Sequence, residues 1–244
     1  MRIFALLPFL IFSGLSLKFL KSESPPNPLM KVIAKGKSEI AQSGEFQPKS
    51  ISGLSDASLK KLMDGNDRYV KNKSQSINNL QVKRTSLLGT QTPFAVVIGC
   101  SDSRVPPEIV FDQSLGDLFV VRVAGNVAGP LELDTIEYAA YELKCPLILV
   151  LGHQDCGIVK AVIDGKATDL ELEAIAPYIQ QSVDESRSLP GDRMRNAIQT
   201  NVKLNIQRLT DNAVLQKLIQ NNQLKIVGGY YELDSGKVDW FLSP

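Results

Sequence analysis

The stretch "PFAVVIGCSDSR", residues 93–104, joins an unbroken apolar run to a thiol, a carboxylate and a guanidinium. A run without alternating polar residues is typical of a strand buried on both faces of a parallel sheet. Further strands are predicted over 117–123, 146–152 and 224–233, with a last edge strand within 237–242. Helical patterns lie before and between them, at 55–72, 131–143, 156–165 and across much of 170–220. The alternation predicts an α/β fold, a mostly parallel β-sheet flanked by helices, with an edge strand.

The bulk composition is that of one ordinary globular domain. The chain has 244 residues, of which 43% are hydrophobic and 22% charged, and its formal net charge is +1. Such a balance gives no electrostatic reason to expect a nucleic-acid partner. Three cysteines are too few, and odd in number, for a disulfide framework. Any role for these cysteines is therefore expected in chemistry or packing.

The N-terminus has a different character from the rest of the chain. Residues 1–20, "MRIFALLPFLIFSGLSLKFL", place one early arginine before a short apolar run, as in a secretory signal. We predict a signal peptide at 1–22, a linker or N-terminal arm at 23–52 and the main folded domain at 53–244. The protein is then expected in the periplasm or secreted. An uncleaved membrane anchor is the alternative, and only a retained segment would bring the protein to a membrane.

Two of the predicted strands end in residues that bind metals. Cys100 follows the strand at 94–99, and His153 follows the strand at 146–152, with Cys156 three residues further on. Parallel strands bring their carboxyl ends to one edge of the sheet, where ligands bind. Two thiolates and one imidazole suit Zn²⁺, and three protein ligands leave one position open. The competing interpretation is that these cysteines are packed core residues, which we expect only for Cys145, at the opposite edge.

Asp102 and Arg104 stand beside the first proposed ligand. A carboxylate and a guanidinium two residues apart can pair, which keeps the acid ionised. The acid could orient a nucleophile on the metal or swing to occupy the metal's fourth position. An ordinary surface ion pair is the alternative.

Three stretches together resemble the β-class carbonic anhydrases. They are "CSDSRVPPEIVFDQSLGDLFVVRVAGNV" at 100–127, "LILVLGHQDCGIVKAVIDG" at 147–165 and "GGYYELDSGKV" at 228–238. The resemblance covers the chain from about Leu59 to Leu242.

The resemblance implies one Zn²⁺ per chain, held by Cys100, His153 and Cys156, with Asp102 and Arg104 as a catalytic dyad. The implied reaction is the reversible hydration of CO₂ to bicarbonate and a proton by zinc-bound hydroxide. Members of the family assemble as dimers or larger homo-oligomers. Gln113 and Gly125 are weaker candidates, for contact with bicarbonate and for shaping the pocket floor.

Two other functions are compatible with these motifs. A CS₂ or COS hydrolase would keep the same zinc site, and a non-catalytic zinc-binding protein would not need the dyad. If the chain's only histidine is a ligand, no imidazole is left to carry protons away. Turnover is then expected to depend on external buffer, or on an acid or tyrosine near the mouth of the site.

Overall fold

The computed structural model describes residues 52–76, 78–167 and 172–242. The predicted signal peptide at 1–22 and the predicted linker or arm at 23–52 lie outside these residues, apart from Ser52. Within the described ranges, no helix is both long enough and apolar enough to cross a membrane.

In the part of the chain that the structure describes, five strands form one sheet in the order β2-β1-β3-β4-β5. Their bounds are β1 Ala95–Gly99, β2 Leu118–Arg122, β3 Leu147–His153, β4 Lys225–Tyr231 and β5 Val238–Leu242. The pairings β1–β2, β1–β3 and β3–β4 are parallel, and β5 pairs antiparallel with β4 at one edge. This confirms the predicted fold class, including the edge strand.

Helices cover both faces of the sheet. Their bounds are α1 Ser52–Val70, α2 Leu80–Ser86, α3 Pro107–Val110, α4 Pro130–Tyr141, α5 Gly157–Ile163, α6 Ala176–Glu185, α7 Arg193–Asp211 and α8 Ala213–Gln220. A 3₁₀ turn, Ala124–Asn126, follows β2. Every residue of β1 and β3 is buried, as expected for central strands covered on both sides. Helices α4, α7 and α8 pack on one face, and α1 and α3 on the other.

Helix α1 begins earlier than the sequence suggested. The helical pattern in the sequence begins at residue 55, but Ser55 and Asp56 both lie inside the helix. Ser55 is buried, and Asp56 accepts a hydrogen bond from Lys225 at the start of β4 instead of capping backbone groups. Leu59 and Leu62 form the inner face of the helix and are buried in the core.

The carboxyl ends of β1 and β3 lie side by side. Gly99, the last residue of β1, pairs with Leu151 near the end of β3. The two predicted ligand-bearing segments therefore leave the sheet at the same edge. Cys145 lies buried before β3, at the other end of the sheet, where its thiol donates to the carbonyl of Pro93 at 3.2 Å. The prediction that Cys145 is a packing residue is confirmed.

Candidate active site

Cys100, His153 and Cys156 form one buried cluster, called the donor triad below. Their ligand atoms all lie within 4.8 Å of one another, and the two sulfur atoms are 4.0 Å apart. Cys100 follows β1, His153 ends β3 and Cys156 immediately precedes α5. Two adjacent strands and the turn after the second one thus bring together residues that are distant in sequence.

The imidazole of His153 is oriented by its neighbour. His153 Nδ1 lies 2.8 Å from the carbonyl oxygen of Gln154, which can only accept, so Nδ1 carries the proton. In the neutral imidazole, His153 Nε2 is then the acceptor nitrogen. It is fully buried and has no hydrogen-bond partner among the described residues. A buried, unpartnered imidazole nitrogen with its other nitrogen bonded to a carbonyl is the arrangement of a metal-ligating histidine.

The two thiols of the donor triad are electrostatically unequal. Hydrogen bonding from Cys156 is the main reason that the pKa of Cys100 is lowered, and the pKa of Cys156 is raised by the same hydrogen bond and by burial. The backbone N–H of Gly125 also donates to Cys100 Sγ at 3.3 Å. Cys100 is therefore the thiol of the pair that ionises more readily, and a bound cation would favour the thiolate form of both.

The donor triad fits a zinc ion. Two thiolates at about 2.3 Å from a tetrahedral Zn²⁺ would be roughly 3.8 Å apart, close to the spacing observed. Two sulfurs and one imidazole nitrogen are also the donor types that Zn²⁺ prefers. With three protein donors, the fourth position is left for a reactant.

Asp102 and Arg104 form a closed pair beside the donor triad. Arg104 donates from Nε to Asp102 Oδ1 at 3.0 Å, from its terminal nitrogen to Oδ2 at 2.8 Å, and from its backbone N–H to Oδ1 at 2.9 Å. These bonds, above all the side-chain bonds, lower the pKa of Asp102 to about 2. Asp102 Oδ2 lies 4.0 Å from His153 Nε2. A permanently charged carboxylate oxygen therefore stands next to the position a metal would take.

Arg122, at the end of β2, holds the segment that carries Cys100 and Asp102. Its Nε donates to the carbonyl of Cys100 at 3.0 Å, and its terminal nitrogen donates to the carbonyl of Asp102 at 2.5 Å. No role for Arg122 was predicted from the sequence. The sequence did indicate that Arg122 lies at the end of a strand. Its two contacts with carbonyl groups could not be predicted, because they depend on the tertiary structure.

The comparisons with known proteins agree on one family. A family model described as carbonic anhydrase matches residues 95–238, which include the donor triad and the Asp102–Arg104 pair. "Carbonic anhydrase 2" of Mycobacterium tuberculosis is 36% identical over 190 residues, covering 74% of this chain and 90% of that protein. The solved β-carbonic anhydrase CcaA shares the fold, with a TM-score of 0.60 at 24% identity over 76% of this chain and 99% of that one. The chain belongs to the β-carbonic anhydrase family.

A further relative supports the same family. The carbonic anhydrase of Mycolicibacterium smegmatis is 39% identical over 189 residues, covering 75% of this chain and 91% of that protein. The enzyme class predicted from the motifs, a carbonic anhydrase, is therefore confirmed.

In this carbonic anhydrase, the two weaker candidates occupy different places. Gly125 touches the donor triad through its N–H, in a backbone conformation with φ of +69°. Gln113 instead lines a surface groove beside β2 together with Glu108 and Leu115. Its side-chain nitrogen donates to the carbonyl of Phe111 at 2.6 Å. Contact of Gln113 with bicarbonate stays a prediction.

Proposed function

We propose that this carbonic anhydrase hydrates CO₂ reversibly at a zinc ion held by Cys100, His153 and Cys156. One observation carries the proposal: His153 Nε2 is buried without a partner among the described residues, and it faces the charged Asp102 Oδ2 at 4.0 Å. A packed core histidine would not leave that nitrogen unbonded. Zinc would act there as a Lewis acid and make hydroxide available near neutral pH.

Asp102 has the properties of an orienting group in this reaction. Because Arg104 holds the carboxylate ionised, Oδ2 can accept a hydrogen bond from a hydroxyl group beside the donor triad. The bond would direct the hydroxyl proton away from the arriving carbon atom of CO₂ and leave an oxygen lone pair free for attack. In the arrangement observed, three bonds to Arg104 keep the carboxylate from turning towards the fourth metal position.

Metal analysis beside a CO₂ hydration assay tests the proposal. We expect one zinc per chain and activity in the wild type and in Cys145→Ala, the matched control for a buried cysteine outside the site. Cys156→Ala should lose both zinc and activity. Assays with CS₂ and COS show whether those substrates are preferred. One zinc per chain with no CO₂ hydration at neutral or alkaline pH would overturn the proposal.

We propose that the enzyme is a homo-oligomer built on the edge of β2. Among the residues that the structure describes, this strand pairs with β1 on one side only, and a free strand edge favours pairing with another strand. Exposed apolar side chains lie beside the edge, namely Leu80, Ile109, Leu115 and Tyr138. A structural relative from Sordaria macrospora, with a TM-score of 0.57 at 24% identity over 76% of this chain and 97% of that one, is described as tetrameric.

We propose that the enzyme works outside the cytoplasm, in the periplasm or secreted. The support is the composition of residues 1–20, with one arginine before a short apolar run. Cell fractionation with N-terminal sequencing of the mature chain tests this. Recovery from the cytoplasm with an intact Met1 would contradict it.

A further inference from the structure

Two fully buried asparagines on α7 bind the turn that contacts the donor triad. Asn201 and Asn205 are one helical turn apart and both have no exposed surface. Asn201 Nδ2 donates to the carbonyl of Gly125 at 2.7 Å, and Asn205 Oδ1 accepts from the N–H of Ala128 at 2.7 Å. Burying two amides is unfavourable unless their bonds are made, so their place in a helix interior calls for a reason.

The two side chains form a directed hydrogen-bond chain that starts at a guanidinium. Arg208 donates to Asn205 Oδ1 at 3.0 Å, and Asn205 Nδ2 donates to Asn201 Oδ1 at 3.1 Å. Both amide orientations are fixed, because Asn205 Oδ1 faces two donors and Asn201 Nδ2 faces a carbonyl. Donors therefore point in one sense from Arg208 to Gly125, and each bond polarises the next.

Gly125 lies between this chain and the metal site. Its carbonyl is held by Asn201, while its N–H, in the preceding peptide unit, donates to Cys100 Sγ. A side chain could not replace the glycine hydrogen, since a Cβ would come within 2.9 Å of Ile158 and 2.8 Å of Ile179. With φ at +69°, the residue depends on its two bonds and on this packing to keep its N–H aimed at the sulfur.

We propose that Asn201 and Asn205 are positioning residues that control how much charge Cys100 donates to the metal. An N–H bond to a thiolate withdraws electron density from the sulfur, so the metal stays more electrophilic. Loss of the asparagine bonds frees the Gly125 backbone and weakens that N–H bond. The proposal rests on the metal site of the proposed function and adds a residue pair that touches neither metal nor substrate.

The test uses the full chain loaded with Co²⁺, whose sulfur-to-cobalt absorption band reports on the thiolates. Asn201→Ala removes the bond to Gly125. Asn205→Asp keeps an acceptor for Ala128 and Arg208 but loses the donor to Asn201, so it is the milder variant if the first one does not fold. Asn196→Ala is the matched control, because this asparagine of α7 donates to the carbonyls of Leu189 and Pro190 instead. Leu209→Ala, in the same helix, controls for lost stability.

Both site variants should shift the sulfur-to-cobalt band to longer wavelength, because a thiolate with a weaker hydrogen bond gives up its electrons more easily. Their zinc affinity, measured by chelator competition, should fall about 10-fold, because the loss of a fixed orientation of Cys100 outweighs its stronger donation. Asn196→Ala and Leu209→Ala should keep the wild-type band. A wild-type band in folded Asn201→Ala and Asn205→Asp would overturn the inference alone. A wild type that takes up no metal would instead overturn the proposed function.

Discussion

At the scale of single residues, the surroundings of Asp102 keep its carboxylate charged. Its pKa of about 2 means that the carboxylate stays ionised across the whole range in which an enzyme of this kind would work. The carboxylate can therefore accept hydrogen bonds but cannot donate them. Arg104 is itself half-exposed, so this effect comes from the fixed two-pronged geometry rather than from burial of the pair.

We predict that Asp102→Asn retains zinc but lowers kcat for CO₂ hydration by about 10²-fold. The amide keeps the shape but carries no charge, and it can turn a donor towards the reactant in place of the acceptor. The measurement is stopped-flow hydration kinetics together with the zinc content of the same sample. Asp184→Asn is the matched control, since Asp184 also pairs with a nearby arginine, Arg187, on the surface of α6. Unchanged kcat in Asp102→Asn would remove the orienting role.

At the scale of elements, the sequence was most informative where function depends on strand ends. The unbroken apolar runs placed β1 and β3 correctly, and the parallel pairing that follows from them brings Cys100 and His153 together. The start of α1 was wrong because Asp56 bonds Lys225, far along the chain, rather than nearby backbone groups. Arg122 and Asn201 were missed for the same reason: both act on backbone groups of distant segments, which leave no local pattern.

Helix α1 is joined to the loop after α3 by a buried charge pair. Arg68 Nε donates to Asp112 Oδ2 at 2.5 Å, and the N–H groups of Gln75 and Ser76 donate to Oδ1 at 2.8 Å each. The Asp112 side chain has no exposed surface. Burial alone would raise its pKa, but the bonds from Arg68 and the backbone hold the pKa below the ordinary value of 3.8. The carboxylate thus stabilises the fold while it is charged.

We predict that Asp112→Asn lowers the free energy of unfolding by about 2 kcal/mol near neutral pH. The pKa of Asp112 is lower in the folded state than in the unfolded state. The stabilisation is therefore complete when the pH is above the unfolded-state pKa, and it is lost as the pH falls through the folded-state pKa. The difference between wild type and variant should therefore narrow below about pH 4. Urea unfolding at neutral and at acid pH measures this difference. Asp67→Asn is the control, because Asp67 of α1 forms an exposed ion pair with Lys71. A difference independent of pH would contradict this account.

At the scale of the whole molecule, the composition limits how protons leave the site. The chain contains one histidine, and it is buried in the donor triad. Burial raises the pKa of Tyr230 to about 12, and it also raises the pKa of Tyr231. Neither of these tyrosines on β4 is therefore suited to relay protons at neutral pH. We predict that kcat rises with the concentration of an imidazole buffer and then reaches a plateau. A turnover number indifferent to buffer would show an internal route.

The edge of β2 gives the last prediction, which concerns assembly. Ile109 and Leu115 are 57% and 45% exposed on the groove side of this edge, where a second copy would cover them. Ile109→Asp with Leu115→Asp would place two charges in that contact, and burying them unpaired would cost several kcal/mol. We expect the wild type to sediment as a dimer or larger oligomer and the double variant as a monomer. Leu189→Asp, on an equally exposed leucine after α6, should leave the assembly intact. If the double variant sedimented like the wild type, the β2 edge would not be the interface.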